Sequence, residues 1–211
     1  MVGHLLLYHP AFVALQKVVK SGFIGNIRYI YSNRLSLGKL RKEEDALWSF
    51  APHDISMILA LIGKDPLKVE ATGGAYLSPN IADTSLTFLT FENNIKAHVF
   101  VSWLHPYKDQ KLVVVGEKAM ITFDDVAHLD KKLILYEHKA GWSEEIPIVT
   151  KAEGKIIEYD KTNEPLRLEC QNFISWINND VCPPSNVEEG LSVLKVLNQA
   201  EKSLKRKIEN D

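Results

Sequence analysis

The chain has 211 residues, of which 45% are hydrophobic and 25% are charged, and its formal net charge is −2. These values are typical of a globular protein with one substantial domain. Lys and Arg are scattered along the chain, which argues against a nucleic-acid partner. No apolar stretch approaches the roughly 20 residues that a membrane-spanning helix needs. Because the start of the chain also lacks the pattern of a signal peptide, we expect a cytoplasmic protein.

The cysteines and histidines do not form a metal-binding pattern. The two cysteines, Cys170 and Cys182, lack CxxC spacing, and the seven histidines form no HxH or HExxH group. We therefore expect reduced thiols and no metal site.

The chain begins with an apolar segment, Val2–Tyr8, which predicts a buried strand. The His9-Pro10 pair should end it, and Ala11–Lys20 has the pattern of an amphipathic helix that is closed by Ser21-Gly22. A strand that starts directly after Met1 suggests the remnant of a preceding domain. We therefore expect the chain to be a fragment, a truncated product or half of a split enzyme.

The central part predicts a sheet. A strand is expected at Ile27–Leu35, followed by a polar loop and a helix over about Pro52–Leu61 that ends at Gly63. Short strands and turn residues then alternate, which favours antiparallel hairpins, whereas Gly141–Lys161 has the composition of a loop. The predicted strands are Leu67–Tyr76, Thr84–Phe91, Lys96–Trp103, Lys111–Val115, Met120–Phe123 and Lys132–Tyr136.

Two amphipathic helices close the chain. Glu164–Asn178 should bury Leu168, Phe173 and Ile177, and Val187–Ile208 should bury Leu191, Leu194, Leu197 and Leu204. The expected fold class is therefore α+β, with an open, mostly antiparallel sheet and helices on one face.

Polar residues gather in the loop before the central helix. Arg34, Lys39 and Arg41 could clamp a carboxylate or a diphosphate, and a helix N-terminus also favours anions. Trp48 could stack on a sugar or nicotinamide ring, or it could belong to the core. The cluster predicts a site for a polar, anionic small molecule.

Several motifs occur in one order along the chain and together resemble a known family. They are Gly3–Pro10, the turn Ser21–Ile27, His53-Asp54-Ile55 with Gly63, Ala71–Gly74, Trp103 and Val113–Gly116. This set resembles the Gfo/Idh/MocA family of NAD(P)-dependent sugar dehydrogenases, and within it the members that act on nucleotide-linked amino-sugar uronates.

The resemblance implies that only part of the family's architecture is present. Members carry an N-terminal dinucleotide-binding domain before an α+β substrate domain, and this chain resembles the second. It has neither GxGxxG nor the family's Glu-Lys-Pro motif. We therefore expect residues 1–10 to be a remnant of the cofactor domain and 11–211 to form a substrate and oligomerisation domain. NAD or NADP would not bind to this chain alone, a separate Rossmann-domain subunit would be a partner, and the open sheet would pair two copies.

The resemblance also implies roles for individual residues. His53 matches the family's active-site histidine and would act as the acid/base for oxidation of a secondary alcohol. Asp54 would orient that imidazole or cap the helix, while Ser49 stands where many relatives carry Asp and could bond the sugar. Tyr8 and His9 would lie near the nicotinamide. The alternative is an inert sugar-binding or assembly module.

Overall fold

The computed structural model describes residues 1–38 and 40–208, and its centre is a nine-stranded sheet. Lys39, one of the three predicted anion-binding residues, lies outside the described residues. The elements, in chain order, are α1 (Pro10–Lys20), β1 (Ile27–Leu35), α2 (Ala46–Ile62), β2 (Lys68–Gly74), β3 (Thr84–Thr90), β4 (Lys96–Ser102), β5 (Asp109–Gly116), β6 (Ala119–Asp124), β7 (Leu133–Ser143), β8 (Ile146–Lys151), β9 (Lys155–Ile156), α3 (Pro165–Asn179) and α4 (Val187–Ile208).

The sheet is open and mostly antiparallel, as the sequence predicts. Its strands lie in the order β2-β3-β4-β1-β5-β6-β7-β8, and β9 pairs with β7. Strands β1 and β4 run parallel, because α2 and the hairpin of β2 and β3 separate them in the chain. The other pairings are antiparallel.

Helices cover one face of this sheet, which confirms the predicted layers. Helix α2 lies on β1, β3 and β4, α4 packs on β2 and α2, and α1 contacts β6. Alternation along β1 turns Ile30, Ser32 and Arg34 towards the helices and leaves Tyr29 and Tyr31 on the other face. The interior between sheet and helices is apolar, and its largest fully buried side chains include Trp103, Phe12, Phe91, Phe123, Leu15, Ile30 and Ile55.

The N-terminal segment is not the strand that its apolar composition predicts. Leu5–Tyr8 forms one turn of 3₁₀ helix, and the backbone of Val2 donates to the carbonyl of Ser185. The N–H groups of His4, Leu7 and His9 also donate to carbonyls within the segment, so these backbone bonds form without a neighbouring strand. Its Leu6, Leu7 and Tyr8 join the same hydrophobic core as α1.

The predicted loop at Gly141–Lys161 is also wrong, because it contains strands. The second half of β7 pairs with β8 from His138↔Lys151 to Ser143↔Ile146, and the short β9 returns to the start of β7. The hairpin turns at Glu144, which has a positive φ of 56°. Glu-Glu is not among the residue pairs that favour such tight turns, so the sequence gives no turn signal there.

The last two helices bury less apolar surface than predicted. On α3, Phe173 and Ile177 are 44% and 66% exposed, and on α4, Leu191 and Leu194 are 53% and 45% exposed. The core of α4 instead consists of Val193, Val196, Leu197, Ala200 and Leu204. Amphipathic periodicity identifies these helices correctly. It does not predict which apolar residues of a helix pack against the rest of the chain and which stay exposed.

A membrane span is not among the described elements. Over residues 1–38 and 40–208, the helices are too short or too polar to cross a bilayer.

Gly116 provides a test of the close approach between β5 and the segment before β1. A Cβ at this position would overlap the carbonyl oxygen of Ile24, whereas a Cβ on Gly141 in β7 would meet no atom within 4 Å. Gly116→Ala should therefore lower the free energy of unfolding by about 1–3 kcal/mol, the usual cost of overpacking. Gly141→Ala should change it by less than about 0.5 kcal/mol. Urea unfolding compares the two strand glycines, and equal midpoints would contradict the packing described here.

Candidate functional site

The candidate site is built on the first three turns of α2. This helix begins at Ala46, where the carboxylate of Asp45 accepts a hydrogen bond from the N–H of Trp48 at 3.0 Å. The sequence-based start at Pro52 is wrong, and Asp54 does not cap the helix. Proline is favoured in the first turn of a helix, which makes Pro52 a misleading start signal. Inside the helix, its missing N–H leaves the carbonyl of Trp48 without the usual helical donor.

A buried ion pair joins α2 to the sheet. Asp54 is 1% exposed, and its Oδ2 accepts a hydrogen bond from Nε of Arg34 at 2.5 Å. The hydroxyl of Ser32 donates to Oδ1 of the same carboxylate. Ser32 and Arg34 can both reach Asp54 because residues two apart on β1 share a face. The pair therefore fixes the position of α2 against β1 at the site.

His53 precedes this carboxylate and has an unusual environment. Its Nδ1 is buried and has no hydrogen-bond partner, although the residue as a whole is only half-buried. Burial, followed by the charge of Arg34, lowers the pKa of His53 to about 4, while Asp54 acts in the opposite direction. The imidazole is thus neutral near pH 7 and able to accept a proton. With Nδ1 buried, Nε2 is the nitrogen left to meet a ligand.

Asp54 does not orient His53 in the way that the sequence suggested. Its two carboxylate oxygens are bonded to Arg34 and Ser32, and Nδ1 of His53 remains without a partner. The carboxylate therefore acts on the imidazole through its charge rather than through a bond to Nδ1.

A second histidine lies beside His53, which sequence reasoning missed. His4 meets the ring of His53 edge to face, with 6.4 Å between the ring centroids. Its Nδ1 lies 2.7 and 2.8 Å from the two carboxylate oxygens of Glu189 on α4. His4 belongs to the Gly3–Pro10 motif, but the sequence gives no sign that α4 and α2 converge on it.

Tyr8 and His9, the two predicted cofactor-binding residues, are buried and have partners within the chain. The hydroxyl of Tyr8 lies 2.7 Å from that of Ser185. Nδ1 of His9 accepts from the N–H of Ala11, which caps α1. Burial, partly opposed by Asp125, lowers the pKa of His9 to about 4. In this structure both side chains tie the N-terminal segment to the core.

Trp48 lies between two hollows. A polar cavity of about 390 Å³ is lined by Trp48, the acidic start of α2 and Lys205. An apolar cleft of about 330 Å³ lies on the other side, between the N-terminal segment and α4. Its lining includes Val2, His4, Trp48, Pro52 and Leu191. Trp48 packs partly against the core and also lines both hollows, so the core interpretation describes it in part and stacking on a ligand stays a prediction.

The remaining predicted substrate-binding residues have separate environments. Arg34 is turned inward, and its side chain is 9% exposed. Arg41 is exposed and pairs with Glu44 at 3.0 Å. Ser49 is half-buried on α2, one turn before His53. The structure brings Trp48, Ser49 and His53 together on one helix and separates Arg34 from open solvent.

Comparisons with known proteins agree on a family. A family model described as the GFO/IDH/MocA C-terminal domain matches residues 12–122. UDP-N-acetylglucosamine 3-dehydrogenase of Acidithiobacillus ferrooxidans is 27% identical over 179 residues, which are 83% of this chain and 53% of that protein. The chain therefore spans about half the length of this curated relative.

Solved structures share the fold. The Acidithiobacillus ferrooxidans enzyme GnnA superposes with a TM-score of 0.80 at 24% identity, covering 99% of this chain and 63% of that one. Aldose-aldose oxidoreductase from Caulobacter crescentus gives a TM-score of 0.78 at 14% identity, covering 98% and 62% of the two chains. The added length of these proteins lies outside the part that this chain matches.

The buried pair of Arg34 and Asp54 can be tested by removing its cation. Arg34→Met should lower the free energy of unfolding by about 3–5 kcal/mol, because the carboxylate stays buried without its charge partner. Arg41→Met removes an arginine whose side chain is 54% exposed, and it should cost about 0–1 kcal/mol. Chemical denaturation measures both values. Equal costs would show that the pair does not hold α2 in place.

Proposed function

This chain belongs to the Gfo/Idh/MocA family, and we propose that it is the substrate-binding and catalytic half of an NAD(P)-dependent oxidoreductase. Its substrate would be a sugar or nucleotide sugar with a secondary alcohol to be oxidised. The observation that carries this proposal is His53, a neutral imidazole with a buried, unpartnered Nδ1 on the helix that forms the site. The names of the relatives, a nucleotide-sugar dehydrogenase and an aldose oxidoreductase, support the same substrate class.

The chemical role of His53 follows from the reaction. Oxidation of a secondary alcohol removes a hydride from carbon and a proton from oxygen, and the proton needs a base within hydrogen-bond reach. His53 can take that proton at Nε2, because the low pKa keeps the ring neutral before substrate binds. The charges of Arg34 and Asp54 lie behind the ring and pull its pKa in opposite directions.

The sugar would lie against the exposed side of α2. Trp48 offers an aromatic face for the apolar C–H groups of a sugar ring, and Ser49 offers a hydroxyl one turn from His53. Arg41 could exchange its exposed partner Glu44 for a phosphate or carboxylate of the ligand. Arg34 supports the site from within, since its guanidinium is committed to Asp54.

The chain does not fit a dinucleotide by itself. Its sequence has no GxGxxG segment, and in the described residues β1 and β4 are the single parallel strand pair, whereas a dinucleotide fold needs a parallel sheet. We therefore propose that the hydride acceptor is held by a separate Rossmann domain. Exposed apolar residues on α3 and α4 support such a partner: Phe173, Ile177, Leu191 and Leu194.

A second candidate function is an inert sugar-binding or assembly module. It is favoured by Tyr8 and His9, whose polar atoms are occupied within the chain rather than directed to a cofactor. This candidate predicts sugar binding without turnover.

The two candidates differ in what His53→Gln does. The probe is UDP-N-acetylglucosamine, added to the chain together with a Rossmann-domain partner and NAD(P)⁺, and the reduced nicotinamide is followed by absorbance. If His53 is the base, kcat should fall about 10²–10⁴-fold in His53→Gln, while calorimetry shows that the nucleotide sugar still binds.

His128→Gln is the matched control, because His128 is exposed and pairs with Asp130 away from α2. It should leave kcat unchanged. Binding of the sugar without turnover in the unsubstituted protein would favour the inert module, and unchanged kcat in His53→Gln would remove His53 as the base.

We also propose that two copies of the chain pair through the open face of the sheet. Phe88 and Tyr29 are 46% and 43% exposed there, and the rings of Tyr31 and His98 stack at 5.4 Å between them. A continuous aromatic surface of this kind is typical of a protein interface.

Phe88→Lys should convert a dimer into a monomer, since it places a charge in the aromatic surface. Phe173→Lys on α3 changes a residue of similar exposure, 44%, on another side of the molecule and should leave the dimer intact. Light scattering coupled to size exclusion gives the mass of each variant. A monomeric unsubstituted chain, or a dimer in Phe88→Lys, would contradict this interface.

A further inference from the structure

His4 is held more firmly than a terminal residue usually is. It lies near the start of the chain, where side chains are commonly mobile, yet it is 6% exposed. Both carboxylate oxygens of Glu189 lie within 2.8 Å of its Nδ1. Glu189 is in the first turn of α4, and its backbone N–H is bonded to the side chain of Asn186. The carboxylate that holds His4 is thus fixed by the start of a long helix.

The ring of His4 is directed to the proposed base. Its edge-to-face contact with His53 brings the two ring centroids to 6.4 Å, and no other aromatic contact of His53 is present among the described residues. His4 also lines the apolar cleft beside Trp48 and Pro52. One side of His4 therefore faces the His53 ring and another faces the open cleft.

Anchoring the N-terminal segment does not by itself account for this arrangement. Val2 already bonds to the carbonyl of Ser185, and Tyr8 bonds to its hydroxyl. Burying an imidazole and a carboxylate costs free energy that an apolar pair would not. The pair of His4 and Glu189 instead lies where the His4 ring contacts His53, the imidazole that the site uses.

We propose that His4, clamped by Glu189, is a positioning residue for His53 that restricts the orientation of that imidazole. This inference rests on the proposed function, in which His53 takes the proton. Glu189 fixes where the His4 ring lies, and the His4 ring limits rotation of His53 from one side. A positive charge on His4 would disfavour a second positive charge on His53, and this effect adds to the larger effects of burial and Arg34.

Other charged groups also face this pair. Arg34 on β1 and Asp54 on α2 act on His53 from the sheet side. Glu169 on α3 is 8% exposed, has a buried Oε1 without a partner, and acts on His4. Burial raises the pKa of Glu169 and His4 opposes this shift. The effect of His4 on His53 must therefore be measured with Arg34, Asp54 and Glu169 unchanged.

The test is histidine NMR of the full chain labelled with ¹⁵N, with no ligand added. In the unsubstituted protein, ring protons of His4 and His53 should show a nuclear Overhauser effect, and the effect should be lost in Glu189→Gln. In His4→Gln, the pKa of His53 should rise from its value of about 4. A charge about 6 Å away, even with the dielectric constant of water, predicts a rise of about half a unit or more.

His98→Gln is the control, because His98 lies on the open face of the sheet and its ring contacts are with Tyr31 and Phe88. It should leave the His53 titration unchanged. Glu189→Gln retains the shape of the side chain, and its amide spectrum shows directly whether the chain is still folded. A His53 pKa that is the same in His4→Gln and in the unsubstituted protein would overturn the proposal, as would the absence of the Overhauser effect.

These outcomes are separate from those of the proposed function. If His53→Gln retains turnover, the catalytic assignment fails even where the two rings are coupled. If turnover depends on His53 but its titration is insensitive to His4, the positioning role alone fails.

Discussion

The buried charge of Asp54 is the constraint on which the site depends. A carboxylate that is 1% exposed needs a cation and a donor, and both come from the inward face of β1 as Arg34 and Ser32. These contacts settle where α2 lies on the sheet and how it is rotated. His53, the neighbouring residue on the helix, is thereby carried to the boundary between core and solvent. The position of His53, the proposed base, therefore follows from the ion pair that Asp54 forms with Arg34.

The same ion pair shapes the chemistry of His53. Burial is the main reason why the pKa of His53 is lowered, the charge of Arg34 lowers it further, and Asp54 acts in the opposite direction. A base that is neutral near pH 7 is ready to accept a proton but binds it weakly. A bound alcohol, or a cofactor domain that closes over the cleft, would exclude solvent from the ring and would therefore change the pKa of His53.

The sequence predicts the sheet better than it predicts the site. Alternating residues and the turns Ser78-Pro79-Asn80 and Glu92-Asn93-Asn94 locate β2, β3 and β4, since strand pairing in hairpins is a local property. The partners of Asp54 and His4 are not local. Arg34 lies 20 residues before Asp54, and Glu189 lies 185 residues after His4. Periodicity reports which residues share a face, but it does not report which charges meet across the interior.

Pro52 shows how a local rule can mislead at a functional position. A proline inside a helix costs a hydrogen bond, so its presence normally marks a helix start. Here α2 continues through it, because Asp45 caps the helix two turns earlier and the buried contacts of Asp54 and Ile55 hold the following turn. Pro52 leaves the carbonyl of Trp48 without its usual helical donor, and both residues line the apolar hollow of the site. A carbonyl that lacks its helical donor is an additional acceptor for a sugar hydroxyl, which is a further physical reason to place the ligand on this part of α2.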